Sequence, residues 1–471
     1  MQNHLPASIA LCLALCLPTA AFSQEAAAPS DNAADISAES LKAAYDQQQW
    51  EAAANIASKL LETSPDNADY LAIQGISYAQ LEKFREAESS FIKLQSIKPD
   101  DPQNLSNLCF AQFSLGKKEA ADNCKTAAKL NPQKAAIQLL AGQALENAKR
   151  IDEANEAYAE ALKLNPDDLQ TITLLSNTYY MQKNYKMFAE TNESALNRGI
   201  ETPILYLNAI SARNLLGDYE KTIELADKGN EKYNDASMLQ GKGEALYHLN
   251  RIEEAAKLLR EINDKIPESA VTKPRANYFL ARAILASPCS TGDTGTCDTS
   301  ENACCTKAQE AISLLEAIKN KVLLPDNDYA VYAGLAYMMS GDLEKAEATL
   351  SKATHNDMNQ DNASALAALA VTLNQFSDPR DKAAALQYYR QALDASPDFA
   401  DIEKVKKTRH WPQMALDILA QLKAEHEKPA VKKSGCGCEI AAPHTPNSTP
   451  LAGLLGILCA LGMMLRLRRT R

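Results

Sequence analysis

Residues 75–99 read GISYAQLEKFREAESSFIKLQSIKP, and residues 142–166 read GQALENAKRIDEANEAYAEALKLNP. Few positions are identical, yet one set of residue types recurs at fixed offsets. Gly75, Tyr78, Ala87, Phe91, Leu94 and Pro99 become Gly142, Leu145, Ala154, Tyr158, Ala161 and Pro166. The set returns as Gly243, Leu246, Ala255, Leu259, Ile262 and Pro267, and again, without the proline, as Gly334, Tyr337, Ala346, Leu350 and Ala353. Prolines 65, 99, 132 and 166, then 267 and 397, mark a period of about 34 residues. A unit of that length holds two antiparallel helices. The glycine on the first leaves room for the ring on the second, and the alanine lets the backbones approach closely. Turn segments such as Leu216-Gly217-Asp218-Tyr219 and Ser340-Gly341-Asp342 stop the first helix, and Asn-Pro or Lys-Pro stops the second.

Each of these sets resembles a tetratricopeptide repeat. The period predicts an all-α chain with no alternating strand segments, and about ten units between residues 36 and 399, with those near 169–235 degenerate. No unit buries its apolar face alone, so stacking is obligatory and the array needs a cap. Residues 400–428 are expected to supply it as a helix, with Met414, Leu416, Ile418, Leu419 and Leu422 on a helical pattern. The resemblance implies a right-handed superhelical solenoid whose first helices line a concave groove that holds an extended or helical peptide. It places Phe110, Phe113, Gln143, Asn177, Tyr180, Glu244, Tyr247 and His248 on that surface. Aromatics and amides in a groove suit peptide recognition.

Both ends depart from the repeat. Residues 1–23 have the apolar run Ile9–Leu17, then Pro18 and Ala20-Ala21-Phe22-Ser23, the layout of a secretory signal peptide cleaved after Ser23. Cys12 and Cys16 lie in its core, and residues 24–35 follow as a flexible linker. At the other end a linker at 429–450 carries Gly435-Cys436-Gly437-Cys438. An apolar segment at 451–465 and the arginines of 466–471 come next. The apolar segment covers about 23 Å at about 1.5 Å per residue, short of the roughly 30 Å hydrocarbon core. Terminal cations orient such a segment with the arginines in the cytoplasm. The three parts in this order resemble the myxobacterial C-terminal sorting signal (MYXO-CTERM), which implies processing near Cys436 or Cys438 and delivery to the cell surface. A permanent single-pass anchor is the alternative.

The chain's net charge is −11, and the segment between the signal and residue 430 sums to −16. An acidic body repels phosphate backbones, which argues against nucleic acid as a partner and favours basic or neutral polypeptides.

Of eleven cysteines, six lie in the body: Cys109, Cys124, Cys289, Cys297, Cys304 and Cys305. An even number in an exported chain reads as disulfides. Cys109 and Cys124 occupy the small first-helix position and the ring position of one repeat, which face one another, so a bridge between them is expected. The other four fall in an insertion at 287–306 whose small polar residues supply no core, so cross-links would order it. Zinc is the rival ligand, but Cys304 and Cys305 are adjacent and no Cys-x-x-Cys pair is present. Asp293, Asp298 and Glu301 match no EF-hand spacing.

No phosphate loop, nucleophile elbow or His-Glu-x-x-His motif occurs, and the histidines His248, His355, His410, His426 and His444 are scattered. The expectation is therefore a non-enzymatic scaffold without metal or cofactor. It would be exported to the cell envelope, held at the membrane at least before processing, and would bind a polypeptide or an envelope protein complex. An envelope assembly factor for a pilus or the outer membrane is the second reading, and a regulator of an associated enzyme the third.

Overall fold

The computed structural model describes residues 36–270, 272–288, 303–319, 326–354 and 362–428. Among these, all regular structure is helical. The first five helix pairs are α1 (Ala38–Asp46) with α2 (Trp50–Thr63), α3 (Ala68–Gln80) with α4 (Phe84–Ile97), α5 (Pro102–Ser114) with α6 (Ala120–Leu130), α7 (Ala135–Asn147) with α8 (Ile151–Leu164), and α9 (Leu169–Met181) with α10 (Tyr185–Asn197). Five more follow: α11 (Pro203–Leu216) with α12 (Tyr219–Tyr233), α13 (Ala236–His248) with α14 (Ile252–Asn263), α15 (Lys273–Ala286) with α16 (Ala303–Glu316), α17 (Asp326–Met339) with α18 (Leu343–Thr354), and α19 (Asn362–Leu373) with α20 (Pro379–Ala395). A 3-10 turn (Pro397–Ala400), α21 (Ile402–Arg409) and α22 (Gln413–His426) complete the unit that ends at His426. Each helix of the ten pairs packs on its neighbours in sequence, which makes the array a helical solenoid.

Local chemistry sets the helix ends. Asn67 caps α3 by accepting from the amides of Asp69 and Tyr70, Asp101 caps α5 ahead of Pro102, and Asp168 caps α9 through the Thr171 amide. In eight of the ten pairs, among the described residues, the chain turns between the two helices through one left-handed residue. Gly217 and Gly341 take that conformation at φ +74° and +83°, as the turn reading expected. Glu82 and Lys149 adopt it at +56° and +62°, each at a cost of roughly 1–2 kcal/mol that the packing of the pair offsets.

The contact at the centre of a pair explains the repeat pattern. A Cβ built on Gly75 would lie 2.4 Å from Cε1 of Phe91, and one on Gly142 would lie 2.4 Å from Cδ1 of Tyr158. Gly243 and Gly334 are filled in the same way by Leu259 and Leu350. Two pairs solve the same packing problem with other chemistry. In the third, Cys109 and Cys124 form a disulfide across this position. In the fifth, within the stretch read as degenerate, the Asn192 amide donates to the Ser176 hydroxyl. The helix pair survives because the position needs a close interhelical contact, and the glycine and ring are one way to make it.

First helices also pack on one another along the array: α3 with α5, α5 with α7, α11 with α13, α13 with α15 and α17 with α19. Gly241 allows the approach of α13 to α11, since a Cβ there would meet Ile210 at 2.3 Å.

Two expectations about boundaries change. The cap is two helices, because His410 ends α21 in the left-handed region at φ +51° and Pro412 follows. The insertion is shorter than 287–306 at its far end, because Cys304 and Cys305 lie in the first turn of α16. Of the cap residues, Leu416, Ile418, Leu419 and Leu422 are buried while Met414 is exposed, and α22 packs against α19 and α20.

Candidate polypeptide-binding face

In four of the first helices the residue after the glycine position, and the one three further on, hold equivalent places in the repeat register. In α5 these are Phe110 and Phe113, in α7 Gln143 and Glu146, in α9 Asn177 and Tyr180, and in α13 Glu244 and Tyr247. The same register in α15, counted from Ala281, gives Arg282. The structure divides this face into an open part and an occupied part.

The open part lies on α5, α7 and α9. Tyr180 is 51 % exposed and Met181 66 %, Asn177 is exposed, and Phe113 and Gln143 are partly exposed. The Tyr180 ring is propped by Phe188 at 5.4 Å and Tyr185 at 6.3 Å between centroids, so it stands as a supported platform. Phe110 does not share this exposure. It is 5 % exposed because Phe84 of the preceding pair packs edge-on against it at 5.8 Å.

The occupied part lies on α13, α15 and α17, and the chain's own Arg409–Trp411 segment fills it. Tyr332 donates its hydroxyl to the Arg409 carbonyl at 2.6 Å, and Tyr247 donates to the same oxygen at 3.4 Å. His410 packs edge-on against Tyr247 at 4.5 Å, and Trp411 is buried beside Phe399 at 5.7 Å. Behind the tyrosines sits Arg282. Its Nε donates to Tyr247 Oη at 3.1 Å and its Nη2 to Tyr332 Oη at 2.8 Å. Its guanidinium lies 4.3 Å from the centroid of Tyr332 and 4.7 Å from that of Tyr247. Cation–π contacts of this kind contribute about 2 kcal/mol when desolvated. A guanidinium that polarises two hydroxyls, which in turn grip one carbonyl, makes a strong donor array for a polypeptide backbone.

Two of the residues expected in the groove here are buried. Glu244, 4 % exposed, is held by Arg275, whose Nε lies 2.7 Å from its carboxylate, and Tyr247 is fully enclosed. His248 is partly buried and stacks on Tyr219 at 4.8 Å. Burial first, and the Arg282 charge second, hold the His248 and His410 imidazoles down at about 4, so both are neutral near pH 7. His410 Nδ1 and Trp411 Nε1 are buried without a hydrogen-bond partner among the described residues. A buried polar atom in that state costs about 1–3 kcal/mol. The repeat register missed His410 and Trp411, which lie outside it. Arg282 was within its reach, as a lone cation in the otherwise apolar run from Tyr278 to Leu285.

The remaining cysteines are partly placed. Cys304 and Cys305 are both disulfide-bonded, while Cys289 and Cys297 lie outside the described residues. So do the signal segment, Cys436, Cys438 and the apolar run at 451–465. Among the described residues no helix is long and apolar enough to cross a membrane, and no group of three or more His, Cys, Asp or Glu is placed to hold a metal ion.

Residues 41–102, 117–168 and 333–400 match a tetratricopeptide repeat family model. No curated protein matches the sequence. Among solved structures, one described as MamA is 19 % identical over 34 % of this chain and 97 % of its own, with a TM-score of 0.31. YrrB, described as a TPR protein with an unusual peptide-binding site, is 19 % identical over 37 % of this chain and 89 % of its own, with a TM-score of 0.34. The Naa15/Naa10 structure bound to HypK-THB is 15 % identical over 84 % of this chain and 68 % of its own, with a TM-score of 0.40. The chain thus carries tetratricopeptide repeats over the three matched stretches.

Proposed function

We propose that the chain is an exported scaffold, anchored at the membrane or displayed at the surface, that holds a polypeptide along the first-helix face of its repeats and performs no catalysis itself. One observation carries the reading. Asn177 and Tyr180 stand exposed in the same register as Gln143 and Phe113 on the preceding first helices, with Met181 exposed beside them. An aromatic platform among amides gives a backbone hydrogen-bond partners and gives one or two side chains an apolar seat. The acidic body favours a basic or neutral segment, and charge of that sign speeds its encounter.

Export and anchoring rest on sequence alone. The apolar run and small residues before Ser23 support the first, and Gly435-Cys436-Gly437-Cys438, the apolar run and the terminal arginines support the second.

Panning a displayed peptide library against the full chain tests the binding reading. Enriched peptides should be basic or neutral, and their affinity should fall at least tenfold with the double change Asn177→Ala and Tyr180→Ala. Peptides that bind both forms equally would place recognition elsewhere.

A further inference from the structure

The cap of a helical array has one obligatory task, to cover the last pair. α22 does this by burying Leu416, Leu419 and Leu422 against α19 and α20. The Arg409–Trp411 elbow goes further than that task requires. It reaches Tyr247 on α13, 162 residues earlier, and Tyr332 on α17, 77 residues earlier. Its contacts there are the contacts of a bound peptide. One main-chain carbonyl accepts from two tyrosine hydroxyls, and a side-chain ring sits against an aromatic wall.

The elbow also fits imperfectly. His410 is a non-glycine residue in the left-handed region, and the imidazole Nδ1 and indole Nε1 are enclosed without partners among the described residues. Buried polar atoms without partners among the described residues also occur in the repeats, at Ser77 Oγ and Tyr278 Oη for example, so what marks the elbow is that they coincide with a left-handed residue at a long-range contact. A segment that leaves and returns meets water in its released state, where the same atoms find partners.

We propose that the Arg409–Trp411 elbow is a releasable, built-in occupant of the face on α13, α15 and α17, and that its release opens Tyr247, Arg282 and Tyr332 to a polypeptide partner. The partner chemistry follows from what the elbow supplies: a main-chain carbonyl for the tyrosine hydroxyls, flanked by an uncharged aromatic side chain. Arg282 disfavours a cationic side chain at that point. The idea rests on the polypeptide-binding reading only for what replaces the elbow, because release itself is measured with no partner present.

The chain has two tryptophans, so full-length protein with Trp50→Phe leaves Trp411 as the single reporter. Acrylamide quenching of Trp411 and far-UV circular dichroism are followed together as urea rises. Trp411 should become quenchable well before helix is lost. A synthetic peptide of residues 405–415 carrying Trp411→Phe, and so without tryptophan of its own, should in hundredfold excess raise the quenching of the chain's Trp411 severalfold at constant helicity. In a Tyr332→Phe form, which keeps the ring and removes one hydroxyl donor, exposure should come at still lower urea. If Trp411 becomes exposed only as the helices melt, in the parent and in Tyr332→Phe alike, and the peptide changes nothing, the elbow is core and the proposal is wrong. Should Tyr332→Phe fail to fold, the parent's two transitions still decide the matter. A library that binds nothing on α9 would sink the first reading and leave this result untouched.

Discussion

The hydroxyl of Tyr332 donates to the carbonyl of Arg409 at 2.6 Å, joining the ninth helix pair to a segment that follows the tenth. Because of this contact the first-helix face is not uniform along the array. Its C-terminal stretch is filled from within, and its middle stretch, at Gln143, Asn177 and Tyr180, is open.

The filled stretch makes stability depend on acid. His248 and His410 titrate at about 4 in the folded chain, against the ordinary 6.5, through burial and the nearby Arg282. Around them stand Glu244 and Tyr247 from α13, Tyr219 from α12, Arg275, Tyr278 and Arg282 from α15, Asp328 and Tyr332 from α17, and Arg409 beside His410. Between the two pKa values the unfolded chain binds more protons than the folded one, so this contribution is fully present above about pH 6.5 and lost as pH falls toward 4. The slope is at most about 1.4 kcal/mol per pH unit for each imidazole. Urea midpoints at pH 7.5, 6 and 5 measure it, and His410→Asn should flatten the curve. An unchanged slope in that variant would show that its imidazole does not contribute.

The glycine positions are packing positions, and alanine is the critical substitution. Helix propensity alone would make Gly142→Ala stabilising by about 1 kcal/mol. The new methyl, however, would lie 2.4 Å from two atoms of the enclosed Tyr158 ring. Overpacking of this kind costs about 1–3 kcal/mol, so a net loss is expected in chemical denaturation. A Gly142→Ala form that is more stable than the parent would contradict the pair geometry.

Cys109 and Cys124 close a short loop within one pair, at a sequence separation of 15, and both are fully enclosed. Reduction, or the paired change to alanine, should lower stability by about 2–4 kcal/mol. Thiol labelling after mild reduction should proceed only when the pair opens. Equal stability in oxidised and reduced protein would remove the bridge from the account.

How much of this was legible in the sequence depends on distance along the chain. The contact of Gly75 with Phe91 spans 16 residues and repeats, so a period reveals it. The same spacing places Ser176 opposite Asn192, in a stretch that reads as degenerate because a hydrogen bond replaces the ring, and a spacing one residue shorter places Cys109 opposite Cys124. Groove membership was harder to judge. Phe110 has the right register but is covered by Phe84, and register carries no information about coverage. The elbow was out of reach, since nothing periodic links Arg409 with Tyr247 or Tyr332. Arg282 was marked only by being a charge in an apolar helix, which identifies a buried cation and not the two hydroxyls that receive it.

The central claim is that the open first-helix face holds a polypeptide, and site-specific photocrosslinking on the full chain in its own cells measures this most directly. A benzophenone amino acid is placed at Asn177, at Gln143, and at the control position Lys228, which is exposed on the second helix α12. Adducts are resolved by mass and sequenced. The account predicts one recurring polypeptide segment attached at positions 143 and 177 and absent from 228, with the adduct lost when Tyr180 is changed to alanine. Equal labelling at all three positions, or adducts at 228 alone, would contradict it.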